Sequence, residues 1–470
     1  MNATDLCFTP ATELAAAIHA GRVSPTEAVE AVLDRIGTVN PSINALVTVT
    51  EDLARAAARD VEARLARGEN LGPLAGVPVT IKDLVMVKGV RTTWGSRIFE
   101  RFIAPEDAPA VERLRAAGAV IVGMTNSPEF GYRGTTDNPV FGATRNPWSL
   151  DHTPGGSTGG GAAAVAAGLG PLTIGTDAGG SIRIPASCCG IVGFKPTLGR
   201  VAMAPVYGGL ETLSHTGPMT RTVRDAAVMM SVIAGPDPRD LMSLPDDGTD
   251  WIGAPDGGLS NVRAGWTPDW GYAPVDPEVR RITESAVREF EDAGLRIEEV
   301  SPRFADPSDA FGALFPATIA ARLAGYLPEW RTRMDPGLVR YIEMGQRPSA
   351  VDFVQAANVR RTLNDAFREF FATHDLLLTP TLAAPPLPLG QHVYEKIGGT
   401  AVGPLGWLAF TFPINMIGYP AITVPAGWTT SGLPVGLQIV GPRFADASVL
   451  RAAAAFETRR PWADRRPSVA

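Results

Sequence analysis

The chain has 470 residues, of which 45% are hydrophobic and 19% are charged; 42 Lys and Arg stand against 49 Asp and Glu, for a formal net charge of −7. This length can bury a large core, and an acidic chain with scattered basic residues argues against nucleic acid or an anionic membrane as a partner. Three cysteines are too few for a disulfide framework or a Cys-rich zinc site, so we expect a reducing, cytoplasmic compartment. We also expect neither a metal nor a cofactor.

The first part of the chain is predicted to be helical. Residues 1–5 lack the basic and apolar regions of a signal peptide, so an ordinary cytosolic start is expected. Ser24-Pro25-Thr26-Glu27 is a capping box with proline at the first helical position, and it predicts a helix that ends near Pro41. A short strand over residues 45–49 and an amphipathic helix over residues 53–67 follow.

An alternation of strands and helices begins at residue 77 and indicates parallel, buried strands. The first strand, over residues 77–83, ends on Lys82 and Asp83. The pattern continues with a helix over residues 111–117, a strand over 120–122, a helix of small side chains over 162–167 and a strand over 172–175.

The second half resumes the α/β pattern after a loop rich in Pro, Asp and Gly at residues 236–260. Helices are predicted over residues 279–293 and 353–371, and strands over 376–378 and 422–424. Residues 397–442 contain no Asp, Glu, Lys or Arg, but their prolines leave no unbroken stretch of about 20 residues for a membrane-spanning helix. We therefore expect core strands and loops in this segment.

Two serines lie in a weakly charged, glycine-rich part of the chain. Residues 152–176 contain no Asp, Glu, Lys or Arg; they include Ser157 among glycines, and Ser181 follows Gly179-Gly180. Glycine lets the backbone turn sharply and approach a ligand, so that N–H groups can converge on a developing negative charge. Such an arrangement is typical of a nucleophile site for acyl transfer.

Two alternative interpretations of this segment lack their structural context. Residues 159–164 fit the dinucleotide fingerprint G-x-G-x-x-A, but His152-Thr153-Pro154 precede them where a strand is required. Residues 155–159 fit the nucleophile elbow G-x-S-x-G, which would make Ser157 the nucleophile and a downstream histidine the base. The strand that leads into such an elbow is absent as well.

A third interpretation needs no histidine: Ser181 attacks, Ser157 relays the proton and Lys82 is the base. A free lysine has a pKa of about 10.4 and is charged at pH 7, so Lys82 must be buried for its neutral form to predominate. The weakly charged surroundings of the serines favour that condition. An ion pair between Lys82 and Asp83 is the structural alternative.

These motifs resemble the amidase signature family. Residues 76–83 are similar to its lysine motif, residues 154–160 to its first serine motif and residues 175–185 to its second, in the family's order Lys, Ser, Ser. The resemblance extends over nearly the whole chain and is weakest at about residues 240–375. It implies an α/β fold in one large domain, with a central mixed, mostly parallel β-sheet covered by helices on both faces.

The same resemblance implies the site residues. Ser181 is the acyl-forming nucleophile, Ser157 the bridging serine after a cis Gly156–Ser157 peptide bond, and Lys82 the base. The backbone N–H groups of Ala178, Gly179, Gly180 and Ser181 form the oxyanion hole. The supporting residues are Thr176, Asp177 and Arg183, and the segment with Gly131 and Tyr132 lines the acyl channel.

The resemblance also divides residues 1–470 of the single domain into functional segments. Residues 1–70 are the N-terminal helical segment, 76–235 the catalytic core, 240–375 the variable substrate-pocket region, and 376–460 the C-terminal core strands and helix. Aromatic residues in the variable region indicate an apolar pocket for an acyl, aryl or amine group: Phe311, Phe315, Tyr326, Trp330 and Tyr341. Thr158 and Met124 stand where many members of the family have Ser and Lys.

The implied function is a hydrolase that cleaves carboxylic amide C–N bonds of a small, largely apolar substrate. The same chemistry would cleave aryl esters or carbamates, as a urethanase does, because all pass through a tetrahedral oxyanion. The alternative function is that of the glutaminase (A-type) subunit of a tRNA-dependent amidotransferase. For the hydrolase, a homodimer is one expected assembly. A binding protein without activity is disfavoured, because Lys82, Ser157 and Ser181 are all present.

Overall fold

The structure is a computed structural model that describes residues 2–205, 211–292, 294–301 and 303–469. The described α-helices, numbered in chain order, are α1 (Ala3–Phe8), α2 (Ala11–His19), α3 (Pro25–Ile43), α4 (Glu51–Ala66), α5 (Pro109–Ala116), α6 (Gly159–Ala166), α7 (Arg183–Cys189), α8 (Val223–Ile233), α9 (Pro277–Asp292), α10 (Ser308–Leu323), α11 (Leu327–Trp330), α12 (Pro336–Gly345), α13 (Ala350–Phe370), α14 (Phe412–Ile417) and α15 (Asp446–Arg459).

The described strands are β1 (Leu46–Val49), β2 (Pro78–Lys82), β3 (Val120–Thr125), β4 (Asp137–Asn138), β5 (Gly142–Ala143), β6 (Leu172–Asp177), β7 (Val192–Lys195), β8 (His215–Thr220), β9 (Arg263–Trp266), β10 (Arg296–Glu299), β11 (Leu376–Pro380), β12 (Lys396–Ile397), β13 (Thr400–Ala401), β14 (Ala421–Trp428) and β15 (Pro434–Val440). Eleven of them form one sheet in the order β1-β3-β2-β6-β8-β7-β14-β15-β11-β9-β10. Strands from both ends of the chain therefore share a single sheet, as the fold class requires.

The sheet is mixed, and its parallel pairings lie in two blocks. In the first, β2 runs parallel to both β3 and β6; in the second, β9 runs parallel to both β10 and β11. Antiparallel pairings join the two blocks through β8, β7, β14 and β15. The parallel block around β2 matters most for function, since Ile81 lies opposite Ile174 and the carboxyl ends of β2 and β6 meet at one edge.

Helices cover both faces of this sheet. Successive side chains of a strand point to opposite faces, and along β11 Leu376 and Leu378 belong to one hydrophobic cluster while Leu377 belongs to another. The first cluster includes residues of α5, α8, α9 and α15, and the second includes residues of α10, α12, α13 and α14. The expected α/β architecture is thereby confirmed.

Some predicted boundaries differ from those in the structure. α3 begins at Pro25 after the predicted Ser24 capping box, but it continues past Pro41 to the buried residue Ile43 and ends at Asn44 in a left-handed conformation. Pro41 removes only one backbone donor, in the last turn. The helix predicted from residue 162 begins at Gly159, and the predicted end of α9 at residue 293 lies outside the described residues.

The glycines after Ser157 belong to α6 and serve close packing. A Cβ atom on Gly160 would lie 2.4 Å from the backbone nitrogen of Asn126 and 2.6 Å from the carbonyl oxygen of Ala45. No other residue type fits there without moving backbone. α6 therefore lies directly against the chain that leads out of β3, and this contact fixes the position of Ser157 just before the helix.

The uncharged segment at residues 397–442 forms short core elements, as expected. It contains β14, β15 and α14, whose residues are almost all buried. Within the described residues, one helical stretch elsewhere in the chain, Ser308–Trp330, is long and apolar enough to cross a membrane by length and composition alone, with a mean hydropathy of 1.3. It packs on α12 and α13.

Candidate active site

Lys82 is the last residue of β2 and has no solvent-exposed surface. Its Nζ atom lies 2.7 Å from Ser157 Oγ and 2.9 Å from Thr176 Oγ1, within hydrogen-bonding distance of both. Burial of the amine lowers its pKa to about 7, although the charge of Asp177 opposes that shift. A substantial fraction of Lys82 is therefore neutral at pH 7, as a general base must be.

The alternative ion pair between Lys82 and Asp83 is not formed. The Asp83 carboxylate instead accepts hydrogen bonds from the backbone N–H and the hydroxyl of Thr93. Burial raises the pKa of Asp83 to about 7, against the effect of these hydrogen bonds. The lysine therefore has two hydroxyl groups as its side-chain partners, which suits a base better than a structural cation.

The two serines take different positions around Lys82. Ser157 is buried and follows a cis Gly156–Ser157 peptide bond, as the resemblance implied. Ser181 is partly exposed and lines the cavities described below. Its hydroxyl makes no hydrogen bond to any residue within the described ranges. The structure thus brings Lys82 to Ser157, while the second link of the relay, from Ser157 to Ser181, is open.

The predicted oxyanion donors fall into two groups. The Gly180 N–H donates to Asp177 Oδ1 at 2.6 Å, so it is already engaged. The backbone N–H groups of Ala178, Gly179 and Ser181 have no hydrogen-bond partner among the residues that the structure describes. Of the four predicted N–H groups, these three therefore remain as candidate donors to the oxyanion.

Asp177 holds the nucleophile loop in place. Its carboxylate accepts hydrogen bonds from the Ile182 N–H, the Asn415 amide and, on two oxygens, the Arg183 guanidinium, with Arg183 nitrogens at 3.0 and 3.1 Å. Burial disfavours the charged form, but the charge and hydrogen bonds of Arg183 outweigh it and hold the pKa of Asp177 well below its usual range. The carboxylate is consequently ionised, and its hydrogen bonds to Gly180, Ile182 and Arg183 hold the loop in place.

Arg183 connects this loop to the C-terminal part of the chain. The guanidinium is fully buried and donates to the Thr411 carbonyl at 3.0 Å, to Gln438 Oε1 at 2.6 Å and to Asn415 Oδ1. Asp177 and Arg183 thus hold the loop through these contacts, and their support of catalysis stays a prediction. Asn415, Gln438 and Thr411 are additional supporting residues that the sequence motifs did not reveal.

A narrow cavity of about 80 Å³ lies beside both serines. Its wall includes Ser157, Thr176, Ala178 and Ser181, and the rest is mostly apolar: Leu84, Trp94, Phe130, Met203, Pro205, Phe315 and Ile319. Arg322 also lines it, with its guanidinium carbon 5.2 Å from the centre of the Phe130 ring.

A wide cavity of about 560 Å³ meets the narrow one at Ser181. Its wall is formed largely by residues 131–137, α10, α12 and residues 392–408. Several residues at its rim are exposed: Pro336, Arg340, His392, Val393 and Pro404. Three of the aromatic residues predicted for a pocket line it, Phe311, Phe315 and Tyr341, whereas Tyr326 and Trp330 line neither cavity.

Gly131 and Tyr132, which the resemblance placed along an acyl channel, both lie in cavity walls, and their contact with an acyl group stays a prediction. Gly131 lines both cavities, and a Cβ atom there would lie 3.3 Å from Ser157 Oγ. Tyr132 lines the wide cavity, and its hydroxyl lies 2.9 Å from Asp335 and 2.8 Å from Arg133. The tyrosine ring is thus fixed by polar contacts at its far end.

A buried polar network behind Tyr132 was not visible in the sequence. Glu129 has no exposed surface; one oxygen accepts from the Ser96 hydroxyl at 2.6 Å and the other from the Asp335 N–H at 2.7 Å. Burial raises the pKa of Glu129 to about 7. Since the partners are 33 and 206 residues away in the chain, no local pattern could have indicated them.

Within the described ranges, no group of three or more His, Cys, Asp or Glu side chains is arranged to hold a metal ion. The chemistry that the site offers is instead that of a neutral amine, two hydroxyl groups and unpaired backbone N–H groups. Together these can transfer an acyl group by nucleophilic catalysis.

Comparison with known proteins gives a consistent picture. The sequence profile of the Amidase family matches residues 27–450. An acylamidase of Rhodococcus erythropolis is 41% identical over 474 residues, which covers 100% of this chain and 99% of that protein. The glutamyl-tRNA(Gln) amidotransferase of Chloroflexus aurantiacus has an A-type subunit that is 38% identical, and the match covers 99% of each chain.

Solved structures agree with the sequence relatives. A bacterial aryl acylamidase of the amidase signature family superposes with a TM-score of 0.92 at 35% identity and covers 97% of each chain. A 6-aminohexanoate cyclic dimer hydrolase superposes with a TM-score of 0.90 at 30% identity and covers 98% of this chain and 99% of that one. The chain therefore belongs to the amidase signature family, and it is a hydrolase that acts on amide C–N bonds other than peptide bonds.

Proposed function

We propose that the chain hydrolyses small, largely apolar amides through an acyl-enzyme on Ser181, with Ser157 as proton relay and Lys82 as base. The observation that carries the proposal is the 2.7 Å contact between the buried amine of Lys82 and Ser157 Oγ, next to a partly exposed Ser181. A lysine whose pKa is lowered to about 7 can accept a proton from one hydroxyl while that hydroxyl takes one from the next.

The reaction has two halves. In the first, Lys82 takes the Ser157 proton, Ser157 takes the Ser181 proton, and Ser181 Oγ bonds to the carbonyl carbon. The oxyanion is stabilised by N–H groups of Ala178, Gly179 and Ser181, where the loss of one donor typically costs about 3 to 4 kcal/mol. The relay returns a proton to the nitrogen, the C–N bond breaks, and the amine departs.

In the second half the relay removes a proton from a water molecule, whose oxygen attacks the acyl ester. The carboxylic acid leaves and Ser181 recovers its proton. The open link between Ser157 and Ser181 has to close during turnover, and catalytic hydrogen bonds are often long in a free enzyme and tighten with substrate.

The two cavities favour a substrate with unequal halves. The amine must leave, and water must enter, while the acyl group is still bonded to Ser181. The wide cavity has an exposed rim, so we assign the leaving amine to it; the narrow cavity, walled mainly by buried apolar residues, takes the acyl group. A short acyl chain on an aryl or larger alkyl amine fits this division, and aryl esters and carbamates of similar shape are further candidates.

The assignment of the cavities can be tested with acyl-chain series. Ile319 lines only the narrow cavity and Leu408 only the wide one. Ile319→Ala should shift the preferred anilide from acetyl toward butyryl and hexanoyl chains, while Leu408→Ala should leave the order of acyl chains as in the wild type and alter the preference among amines. The reverse pattern would show that the acyl group occupies the wide cavity.

The nucleophile and base are tested together on a panel of anilides, aliphatic amides, aryl esters and carbamates. Ser181→Ala should abolish hydrolysis and labelling by a fluorophosphonate probe, whereas Ser231→Ala, at a serine on α8 that lines neither cavity, should retain them. Lys82→Ala should impair amides more than esters with good leaving groups, because only amides need the returned proton. Survival of both activities in Ser181→Ala, or equal losses on amides and esters in Lys82→Ala, would contradict the mechanism.

A second candidate function is the glutaminase role in a tRNA-dependent amidotransferase. Relatives named for that enzyme are 36–39% identical over almost the whole chain. If the chain has this role, it should release ammonia from glutamine and copurify with partner subunits from its native host. Glutamine turnover that stays far below anilide turnover, with no copurifying protein, would exclude it.

A further inference from the structure

Arg340 is a charged residue of the wide cavity whose charge is not neutralised by a neighbour. It lies on α12, its side chain is exposed, and it lines the same cavity as Ser181. Among the described residues, no carboxylate lies within ion-pair distance of it and no side-chain hydrogen bond holds it. The cavity wall around it is largely apolar, with Phe315, Tyr341 and Leu408 among its residues.

The other charged groups of this cavity contact one another, and the single guanidinium of Arg133 is shared by two carboxylates. Arg133 lies 3.0 Å from Asp335 and also forms an ion pair with Asp137. Asp335 is also the N-cap of α12, where its side chain accepts from the Gly337 and Leu338 N–H groups and is stabilised by the helix dipole. Partial burial lowers the pKa of His392, as does the charge of Arg133, and its Nδ1 atom is 2.9 Å from the Thr135 hydroxyl.

We propose that Arg340 is a specificity-determining residue that favours substrates whose leaving amine carries an anionic group, such as an N-acylated aminobenzoate or aminosulfonate. The inference rests on the proposed function and on the assignment of the leaving amine to the wide cavity. The reaction is ordinary hydrolysis: 4-acetamidobenzoate and water give acetic acid and 4-aminobenzoate. The carboxylate takes no part in bond breaking and contributes only to binding. The Arg340 guanidinium would bind it through its planar set of N–H donors.

Three para-substituted acetanilides of nearly the same shape separate the effect of substrate charge from the effect of substrate size. Their substituents are carboxylate, carboxamide and amidine, with charges of −1, 0 and +1. The ratio of kcat/KM between wild type and Arg340→Gln is taken for each substrate, because that ratio cancels differences in leaving-group chemistry. An exposed ion pair contributes modestly, so we expect Arg340→Gln to lower kcat/KM for the carboxylate about two- to five-fold. The carboxamide should change little, and the amidine should improve.

Two control variants separate charge from structure. Arg340→Lys should keep most of the preference for the carboxylate, since it keeps the charge. Arg347→Gln replaces an exposed arginine just after α12 that does not line the cavity, and it should leave all three ratios unchanged. Addition of salt should lower the wild-type preference for the carboxylate and should have little effect on the preference of Arg340→Gln.

The inference is overturned if Arg340→Gln changes all three substrates by the same factor, or if Arg347→Gln has the same effect. If the wild-type chain hydrolyses none of the three compounds, the proposed function fails for anilides, and the inference is then decided by binding. In that case 4-aminobenzoate should bind the wild type more tightly than 4-aminobenzamide does, and Arg340→Gln should remove the difference. Equal binding of the two compounds to the wild type would also overturn it.

Discussion

The Nζ atom of Lys82 and the Oγ atom of Ser157 lie 2.7 Å apart, although 75 residues separate them in the chain. The contact exists because β2 and β6 run in parallel and end at the same edge of the sheet, and because Ser157 lies at this edge just before the start of α6. Both groups are buried, so the proton equilibrium between them depends on the pKa of the lysine, which lies near 7.

We expect the activity to rise with pH around neutrality. The base works in its neutral form, which predominates above its pKa of about 7, so kcat/KM for a neutral anilide should increase with a midpoint near pH 7 and then level off. A pH series on the wild type measures this, and in Lys82→Ala the residual activity should lack that rise. A midpoint near pH 4 to 5 would point to a carboxylate instead.

Removal of the buried lysine should stabilise the fold. The pKa of Lys82 in the folded chain is lowered from 10.5 to about 7, so the unfolded chain binds more protons between these values. Its burial therefore costs stability in full below pH 7, and the cost shrinks as the pH rises toward 10.5. We expect Lys82→Met to raise the free energy of unfolding by roughly 2 to 4 kcal/mol at pH 7. Each unit of pKa shift corresponds to about 1.4 kcal/mol of burial cost that the substitution removes, and the hydrogen bonds lost with the amine reduce this gain.

Denaturant unfolding at pH 6, 7 and 9 measures this effect. The gain should be largest at pH 6 and smallest at pH 9. Lys88→Met, at an exposed lysine a few residues after β2, serves as the control and should change little. A variant that loses stability at all three pH values would show that the lysine is a structural anchor rather than a strained base.

Asp177→Asn should damage both stability and activity. The substitution leaves the buried guanidinium of Arg183 without its counter-charge, which typically costs about 3 to 5 kcal/mol. It also weakens the contact that holds the Gly180 N–H, so Ser181 loses its orientation and kcat should fall more than KM rises. Asp256→Asn removes one partner of the exposed pair with Arg224 and should cost less than about 1 kcal/mol. Similar losses of stability and activity in both variants would contradict the role of Asp177 in holding the nucleophile loop.

Gly131→Ala should reduce activity through a local clash. Gly131 has a φ of 71°, and a Cβ there would lie 2.7 Å from Leu84 Cδ1 and 3.3 Å from Ser157 Oγ. A small displacement of the relay serine should lower kcat roughly 10- to 100-fold. Gly142→Ala is the control, because Gly142 has a similar φ of 76° with open space around it. That variant should lose some stability and keep its kcat.

Much of the candidate site could be predicted from the sequence because its constraints are local. Lys82 at the end of an apolar strand and two serines among glycines are visible as short patterns, and strand polarity explains why they converge. The oxyanion donors were predicted less well. The motif offers four N–H groups, but only the folded structure shows that Asp177 engages the one of Gly180.

Long-range contacts could not be predicted from one chain. The hydrogen bond between Glu129 and the Asp335 N–H and the ion pair of Arg133 with Asp335 both join segments about 200 residues apart, and neither segment carries a pattern that identifies the other. The aromatic residues of the variable region show the same limit. Phe311 and Phe315 line the site whereas Trp330, a few turns later, lines neither cavity, because helix packing rather than composition decides which side chains face the substrate.

The contacts of Arg183 have a consequence for the synthesis of the protein. Its partners Thr411, Asn415 and Gln438 lie 228 to 255 residues further along the chain. A nascent chain that has already exposed Lys82, Ser157 and Ser181 therefore still lacks the groups that hold the nucleophile loop. Hydrolytic competence should appear only when translation is nearly complete, which keeps a reactive serine from forming on an unfinished polypeptide.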